Sequence, residues 1–444
     1  MPQRVFESIE ETGPWDVVVA GGGPSGCAAA AAAAQEGMRV LLLERSGALG
    51  GMGTSGMLPA WCPFSDGEKV IHRGLAWRVF ESCLASLPHV PRGSTDWVPI
   101  NTERLKRVYD ELLDEAGVNV QFHSQVAGLV RSDRTLESVT IANKAGLTRI
   151  RGAVFVDATG DGDVAAWAGA PFEHGDDKGD VQPATLCFSL ANVDLHSYFQ
   201  RGKPSRQSLG CVLDHARYPR FSDLHVSNVQ VGPGIIGFNA GHLWNVNGTN
   251  PDDLSRAMIE GRRIAEDFRA ALAEYFPEAF GSAHLVATAA IPGIRESRRI
   301  MGDYLLTLDD YLARRCFHDE IARNAYPIDL HPAASEAANL RREDFDIMAR
   351  YAKYQPGESH GIPYRCLIPE GIDNLLVTGR SISTDRIVQA STRIMPVALV
   401  LGESAGVASS LACMEGGKVR QVDPGQLRAR LIQRGAYLPK VQIP

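Results

Sequence analysis

One unit near the start of the chain constrains its fold more than any other. Residues 15–20 are an apolar strand that runs into Gly21-Gly22-Gly23-Pro24-Ser25-Gly26. An alanine-rich helix follows over 27–37, then a second apolar strand over 38–43 that ends on Glu44. Strand, glycine turn, helix, strand and acid in this order form a dinucleotide-binding βαβ fingerprint. Gly21 permits the tight turn, Gly23 lets the backbone approach a pyrophosphate, and Gly26 lets the helix lie against the strand. Pro24 and Ser25 open the helix, whose free N–H groups and positive dipole end face the phosphates. Glu44 stands 23 residues after Gly21, close to the ~20 expected of a carboxylate that binds ribose hydroxyls.

Bulk properties exclude several classes. The 444 residues allow two to three domains at ~150 residues each. A formal net charge of −7 offers no basic field for nucleic acid or an anionic membrane. The eight cysteines, Cys27, Cys62, Cys83, Cys187, Cys211, Cys316, Cys366 and Cys413, are scattered singly. Without C-x-x-C pairs, neither a zinc nor an iron–sulfur framework is expected, and no metal site is assigned. Unpaired cysteines fit a reducing, cytoplasmic compartment. Residues 1–15 carry acids where a signal peptide would be apolar. The apolar run 395–413 is broken by Gly402, Glu403, Ser404 and Gly406, so it reads as a buried helix with a small-residue face, not a membrane span.

Periodicity predicts helices near 74–87, over 101–117 and over 251–275, the last with an acidic start at Asp252 and Asp253. Short strands are expected at 118–123, 125–131, 136–142, 148–151 and 153–158, the last running into Thr159-Gly160-Asp161. Strand-like pieces at 185–192, 225–231 and 284–291 mark a middle region of different character. Gly232 to Gly237 match G-x-G-x-x-G, but no helical stretch follows, so no second nucleotide site is expected there. The reading is an α/β protein with a discontinuous dinucleotide-binding domain (15–60, 100–170 and 366–415). An α+β substrate or cap domain is inserted (61–99 and 171–365), and 1–14 and 416–444 are terminal extensions.

Several segments together carry a resemblance: residues 17–30, 49–57, 154–175, 291–304, 361–369 and 374–409. Over about residues 15–412 the chain resembles the bacterial FAD-dependent oxidoreductases of the glutathione-reductase-like superfamily. That resemblance implies a Rossmann-like FAD-binding domain and FAD as cofactor. It implies that Gly50, Gly51 and Met52 pass beside pyrophosphate and flavin, and that Thr54 hydrogen-bonds near the ring. Thr159, Gly160 and Asp161 would lie at the adenosine–ribose end, and Gly379 and Arg380 at the pyrophosphate or ribityl chain. Arg393 and Met395 would open a helix whose N-terminus faces the flavin. Arg45 and Val126 complete the expected cofactor set.

The implied activity is hydride transfer between FAD and a small organic substrate, at a C–H next to O or N or at an activated C=C. The alternative is an FAD-carrying electron-transfer subunit. Arg295, in a cluster with Glu296, Arg298 and Arg299, is a candidate substrate anchor. His360 is the candidate acid–base group, with Tyr364 beside it. His242, Trp244 and Asn245 form a further candidate wall, and Cys62 follows the flavin loop. The expected partners are a small-molecule substrate and an electron acceptor, oxygen or a redox protein; homo-oligomerisation stays open.

Overall fold

A computed structural model describes residues 9–200, 203–213, 217–221, 223–337 and 353–439. The central sheet contains β1 (Glu10–Ala20), β2 (Val40–Leu43), β3 (Asn119–Gln121), β4 (Gln125–Ser132), β5 (Thr135–Asn143) and β6 (Gly146–Asp157). Their order is β3-β2-β1-β6-β5-β4, and the C-terminal strand Leu375–Val377 also pairs with β6. β1, β2, β3, β6 and Leu375–Val377 run parallel, while β4 and β5 form an antiparallel meander. The parallel strands read as continuous apolar runs because both faces are covered: all four residues of β2 are buried.

Registry sets the position of the site. Ala20 is level with Leu43 and with Asp157, and Asp157 is level with Val377. Four carboxyl ends therefore stop at one edge, where ligands of such sheets bind. The two strands expected at 148–151 and 153–158 are one strand. Its first half pairs with β5 and its second half with Leu375–Val377.

The helices follow their local signals. Helix α1 (Pro24–Gln35) starts on a proline. Helix α2 spans Leu75–Leu84. Helix α3 (Thr102–Ala116) is capped by the Asn101 side chain, which accepts from Arg104 N at 3.1 Å. It stops at Gly117, whose φ of 74° suits the left-handed C-terminal residue.

The helix Met395–Met414 is apolar enough to cross a membrane, yet 89% of its apolar window is buried within the protein. Its glycines explain the close packing on α1. A Cβ at Gly402 would fall 2.1 Å from Ser25 O, and one at Gly406 2.2 Å from Ala29 O. Glu403 is tolerated there because it accepts from Leu75 N (2.8 Å) at the head of α2 and from Arg434 Nε (3.0 Å).

A second sheet lies in the middle of the sequence. After β7 (Phe172–His174) come β8 (Phe188–Ala191), β9 (Val226–Gly232), β10 (Ile235–Ala240) and β11 (His284–Thr288). The antiparallel order is β11-β8-β10-β9, covered by the helix Pro251–Tyr275 with Phe188, Phe238, Phe268 and Phe280 in a core of its own. The glycine motif 232–237 is the turn of the β9–β10 hairpin.

Core membership corrects the expected boundaries. Trp61, Phe64, Val79 and Phe80 pack into the same core as α1 and Met395–Met414, and so do Leu306, Tyr311, Ile321 and Tyr364. The described residues of 61–99, 306–337 and 353–364 thus contribute to the core on the dinucleotide-fold side. The expected extensions are also shorter. Glu10 to Thr12 pair with Thr148 to Ile150, and Leu427 and Leu431 of the helix Pro424–Gln433 join the main core. Residues 1–8 and 440–444 lie outside the described residues.

Candidate active site

A cleft of about 280 Å³ opens at the carboxyl ends of the parallel strands. Gly21 turns the chain there with φ of 100°, and a Cβ on it would fall 2.5 Å from Ala158 O. Gly23 differs: a Cβ there would meet nothing within 4 Å, so its backbone borders open space. Two helix N-termini, those of α1 and Met395–Met414, line the same cleft, and no side chain caps either one. Uncapped N–H groups and two positive dipole ends make an anion cradle.

The charged side chains are held rather than loose. Glu44 Oε2 accepts from Gly22 N and Oε1 from Ser46 N, both at 2.7 Å. This ties the second strand to the glycine turn. Asp157 builds the next loop by accepting from Thr159 N (3.1 Å), Thr159 Oγ1 (2.7 Å) and Ala165 N (2.9 Å). Burial lifts its carboxyl to about 6 against those hydrogen bonds. Asp161 Oδ1 accepts from Ser297 Oγ and Arg380 Nη2, each at 2.6 Å. Arg295 Nη1 donates to Pro183 O (2.7 Å) and Thr185 Oγ1 (2.8 Å), and its Nη2 lies 3.1 Å from His225 Nε2. Burial lowers the Arg295 guanidinium to about 10, so it stays charged at neutral pH.

Most of the expected site residues converge. Gly21, Gly23, Pro24, Ser25, Glu44, Arg45, Gly51, Met52, Val126, Thr159, Gly160, Asp161, Arg295, Gly379, Arg380, Arg393 and Met395 line the cleft. Gly26 does not; its role is packing, since a Cβ there would fall 1.8 Å from Gly21 O. Gly50 turns behind the wall, where a Cβ would collide with the Tyr109 ring at 2.6 Å. Thr54 is a correction: it is buried, and its hydroxyl donates to Leu49 O within its own loop. Arg380 reaches Asp161, 219 positions away, so its side chain braces one wall. Cys62 and Cys187 line the cleft too, but burial pushes each thiol up to about 12, which disfavours a reactive thiolate. Thr185 and Asn239 were not singled out by sequence; no local pattern marks them.

His360 and Tyr364 are the larger corrections. Neither lines the cleft. His360 is fully buried, with Nδ1 2.8 Å from the Tyr354 hydroxyl. Tyr364 donates its hydroxyl to Val419 O at 2.9 Å. Burial, aided by the Arg323 charge, pushes His360 down to about 3, and burial does the same to His72. A histidine whose folded value lies below its ordinary 6.5 leaves the unfolded chain with more protons. Its stabilisation is complete above pH ~6.5 and is lost as pH falls toward ~3. Stability should fall by about 1.4 kcal/mol per pH unit for each such histidine in that window. His360→Phe should flatten the slope by one proton in urea unfolding at a series of pH values. An unaltered slope in a folded variant would contradict the core role.

The family profile described as FAD dependent oxidoreductase matches residues 16–431. The chain belongs to this family. It is an FAD-dependent oxidoreductase, and FAD is its cofactor. No curated protein sequence matches it. Among solved structures, a geranylgeranyl bacteriochlorophyll reductase-like protein from Thermoplasma acidophilum is similar at 14% identity and TM-score 0.48, over 97% of this chain and 85% of that one. The anhydrotetracycline hydroxylase OxyS from Streptomyces rimosus is similar at 14% identity and TM-score 0.48, over 95% and 66%. The p-nitrophenol 4-monooxygenase PnpA from Pseudomonas putida DLL-E4 is similar at 14% identity and TM-score 0.43, over 96% and 85%. The open space beside Gly23, the uncapped helix ends and the buried Glu44 carboxylate suit the family's cofactor.

Proposed function

We propose that this oxidoreductase is of the glutathione-reductase-like type, with the second sheet as an inserted substrate domain, and that it moves a hydride between a small organic substrate and FAD. The observation that carries this reading is convergence. Two uncapped helix N-termini and the buried cation Arg295 open onto one cleft, whose far wall includes Thr185, Cys187 and Asn239 of the second-sheet region. When bound, FAD supplies the redox chemistry by taking up or returning a hydride.

The chain's residues do the rest. Gly21 to Ser25 and the head of Met395–Met414 hold the phosphates and the flavin's negative charge. Glu44 holds the ribose hydroxyls. Thr159, Gly160 and Asp161 shape the adenosine end, and Arg380 braces Asp161. Arg295, fixed through Nη1 to Pro183 and Thr185, presents its remaining N–H groups to an anionic or carbonyl-bearing substrate. The setting is cytoplasmic, consistent with the free thiols of Cys27, Cys62, Cys83, Cys187, Cys316, Cys366 and Cys413. The electron acceptor is oxygen or a redox partner.

The test is an anaerobic screen of hydroxy acids, amino acids and enoates that follows loss of the yellow flavin absorbance. Arg295→Ala should raise the substrate concentration needed for half-maximal bleaching by roughly 10- to 100-fold, the scale of one lost charge-assisted hydrogen bond. Its FAD content should not change. If the variant bleaches at the wild-type substrate concentration, Arg295 does not anchor substrate.

A further inference from the structure

Three histidines that no sequence spacing connects meet behind the Arg295 wall. One ring nitrogen from each of His225, His242 and His331 lies within 4.8 Å of the others. His242 Nε2 and His331 Nδ1 are 3.0 Å apart. Their outward nitrogens both face carboxylates: His242 Nδ1 is 3.4 Å from Asp223 Oδ2, and His331 Nε2 is 3.3 Å from Asp329 Oδ1. Both imidazoles are buried.

This arrangement has an electrostatic consequence. A neutral imidazole has one N–H and one lone pair. If both N–H groups turn to their carboxylates, two lone pairs face one another across 3.0 Å; if His242 instead keeps its proton on Nε2, that N–H donates to His331 Nδ1. Two facing acceptors repel unless a cation serves both. Ring placement shows which cation fits. Nitrogens ~2.0–2.1 Å from one ion, at a mutual angle of about 90–110°, stand roughly 3.0–3.4 Å apart with ring centres about 5 Å apart. The His242–His331 and His225–His331 centroids are each 5.1 Å apart at interplanar angles of 88° and 87°. The His225–His242 pair is closer, stacked at 4.3 Å. A shared proton would organise two rings; the third, His225, brings a ring nitrogen within 4.8 Å of theirs, and because its ring stacks on His242 it must tilt to aim a lone pair at the same point. The carboxylate behind an imidazole is also the usual outer support of a metal ligand, since it fixes the tautomer.

We propose that His225, His242 and His331 form a binding site for one divalent first-row transition ion of the imidazole-preferring class, with Asp223 and Asp329 orienting two of the ligands. This goes against the absence of a metal site expected from cysteine and histidine spacing. The site joins the strand ends around β9 and β10 to the segment carrying His331. It lies one residue behind the cleft, because Arg295 lines the cleft and contacts His225. The two carboxylates offset the nearby charges of Arg295 and Arg393. His225 Nε2 lies 3.1 Å from Arg295 Nη2, so for this nitrogen to join, the guanidinium must give up that contact. Neutral imidazole nitrogens suit Zn²⁺, Fe²⁺, Ni²⁺ and Cu²⁺ better than hard cations.

The experiment uses tag-free, FAD-loaded full chain, stripped with a chelator and titrated with Zn²⁺ against a chromophoric competitor at neutral pH. One Zn²⁺ per chain is expected, and Co²⁺ should give the visible bands of a nitrogen-ligated site. His331→Ala and His242→Gln should each abolish stoichiometric binding while keeping the wild-type flavin spectrum. Asp223→Asn should weaken binding by roughly 10- to 100-fold. If His331→Ala does not fold, His242→Gln and Asp223→Asn carry the comparison. Wild-type chain that binds no Zn²⁺ or Co²⁺ overturns the proposal and leaves a proton between His242 and His331. Equal binding by wild type and both histidine variants overturns it too, by placing the metal elsewhere.

Discussion

Gly26→Ala is expected to prevent recovery of folded, FAD-loaded protein, whereas Gly23→Ala keeps the fold and weakens only the cofactor. The two glycines stand three positions apart in one turn and serve different purposes. A Cβ at 26 would fall 1.8 Å from Gly21 O, which is backbone. Gly21 cannot yield, because its N–H donates to Leu43 O at 2.8 Å and its other side abuts Ala158 O. The cost should exceed the ~1–3 kcal/mol usual for an overpacked core. At Gly23 φ is −69° and ψ −178°, a conformation alanine adopts freely, and the new Cβ meets no protein atom within 4 Å. The added methyl then occupies cofactor space, and FAD affinity should drop at least about tenfold, or 1.4 kcal/mol. Thermal unfolding and FAD dissociation constants separate the two effects. Wild-type FAD affinity in a folded Gly23→Ala would show that the pyrophosphate does not pass over this glycine.

Glu44→Ala should give a folded chain that loses FAD on dialysis. The substitution leaves the N–H groups of Gly22 and Ser46 without the carboxylate that now accepts both at 2.7 Å. Each such loss costs about 1–3 kcal/mol where the group is desolvated, and the ribose hydroxyls lose their acceptor as well. The backbone losses lower stability with and without FAD, so the affinity loss follows from the ribose contact alone, roughly 10- to 150-fold for ~1.5–3 kcal/mol. Reconstitution titrated by flavin fluorescence measures it. A variant that retains FAD at the wild-type ratio through extensive dialysis would remove Glu44 from the cofactor site.

The parts of the molecule legible in sequence are those whose contacts are local. Residues 15–44 declare strand, turn, helix and acid within one short stretch, and the structure assembles them at the same edge. Asn101 and Gly117 mark the ends of α3 for the same reason. The small residues of 395–413 foretold close packing, and Gly402 and Gly406 supply it.

What stayed hidden depends on distant partners. Trp61, Phe64 and Phe80 could have filled either core. Their placement follows from a helix more than 300 residues later in the chain. His360 sits in a stretch that looks polar, yet the strand His360–Pro363 pairs with Glu320–Asn324 and buries all four of its residues. Burial decides its chemistry, and burial has no signature in four residues. Arg380 looks like a free cation until Asp161 is brought beside it. The histidine cluster is the extreme case, since His242 and His331 are 89 positions apart.

The cleft's walls come from as early as Gly21 and as late as Ala398. A chain emerging from the ribosome therefore makes its glycine cradle first and its second helix N-terminus last. Until residues 375–377 are made the second half of β6 lacks its neighbour, and until residues 395–414 follow α1 lacks its packing partner. Contacts of such large sequence separation also close slowly. Complete FAD capture is thus deferred to the end of synthesis, and a prematurely terminated chain offers the cofactor only one of its two positive helix ends.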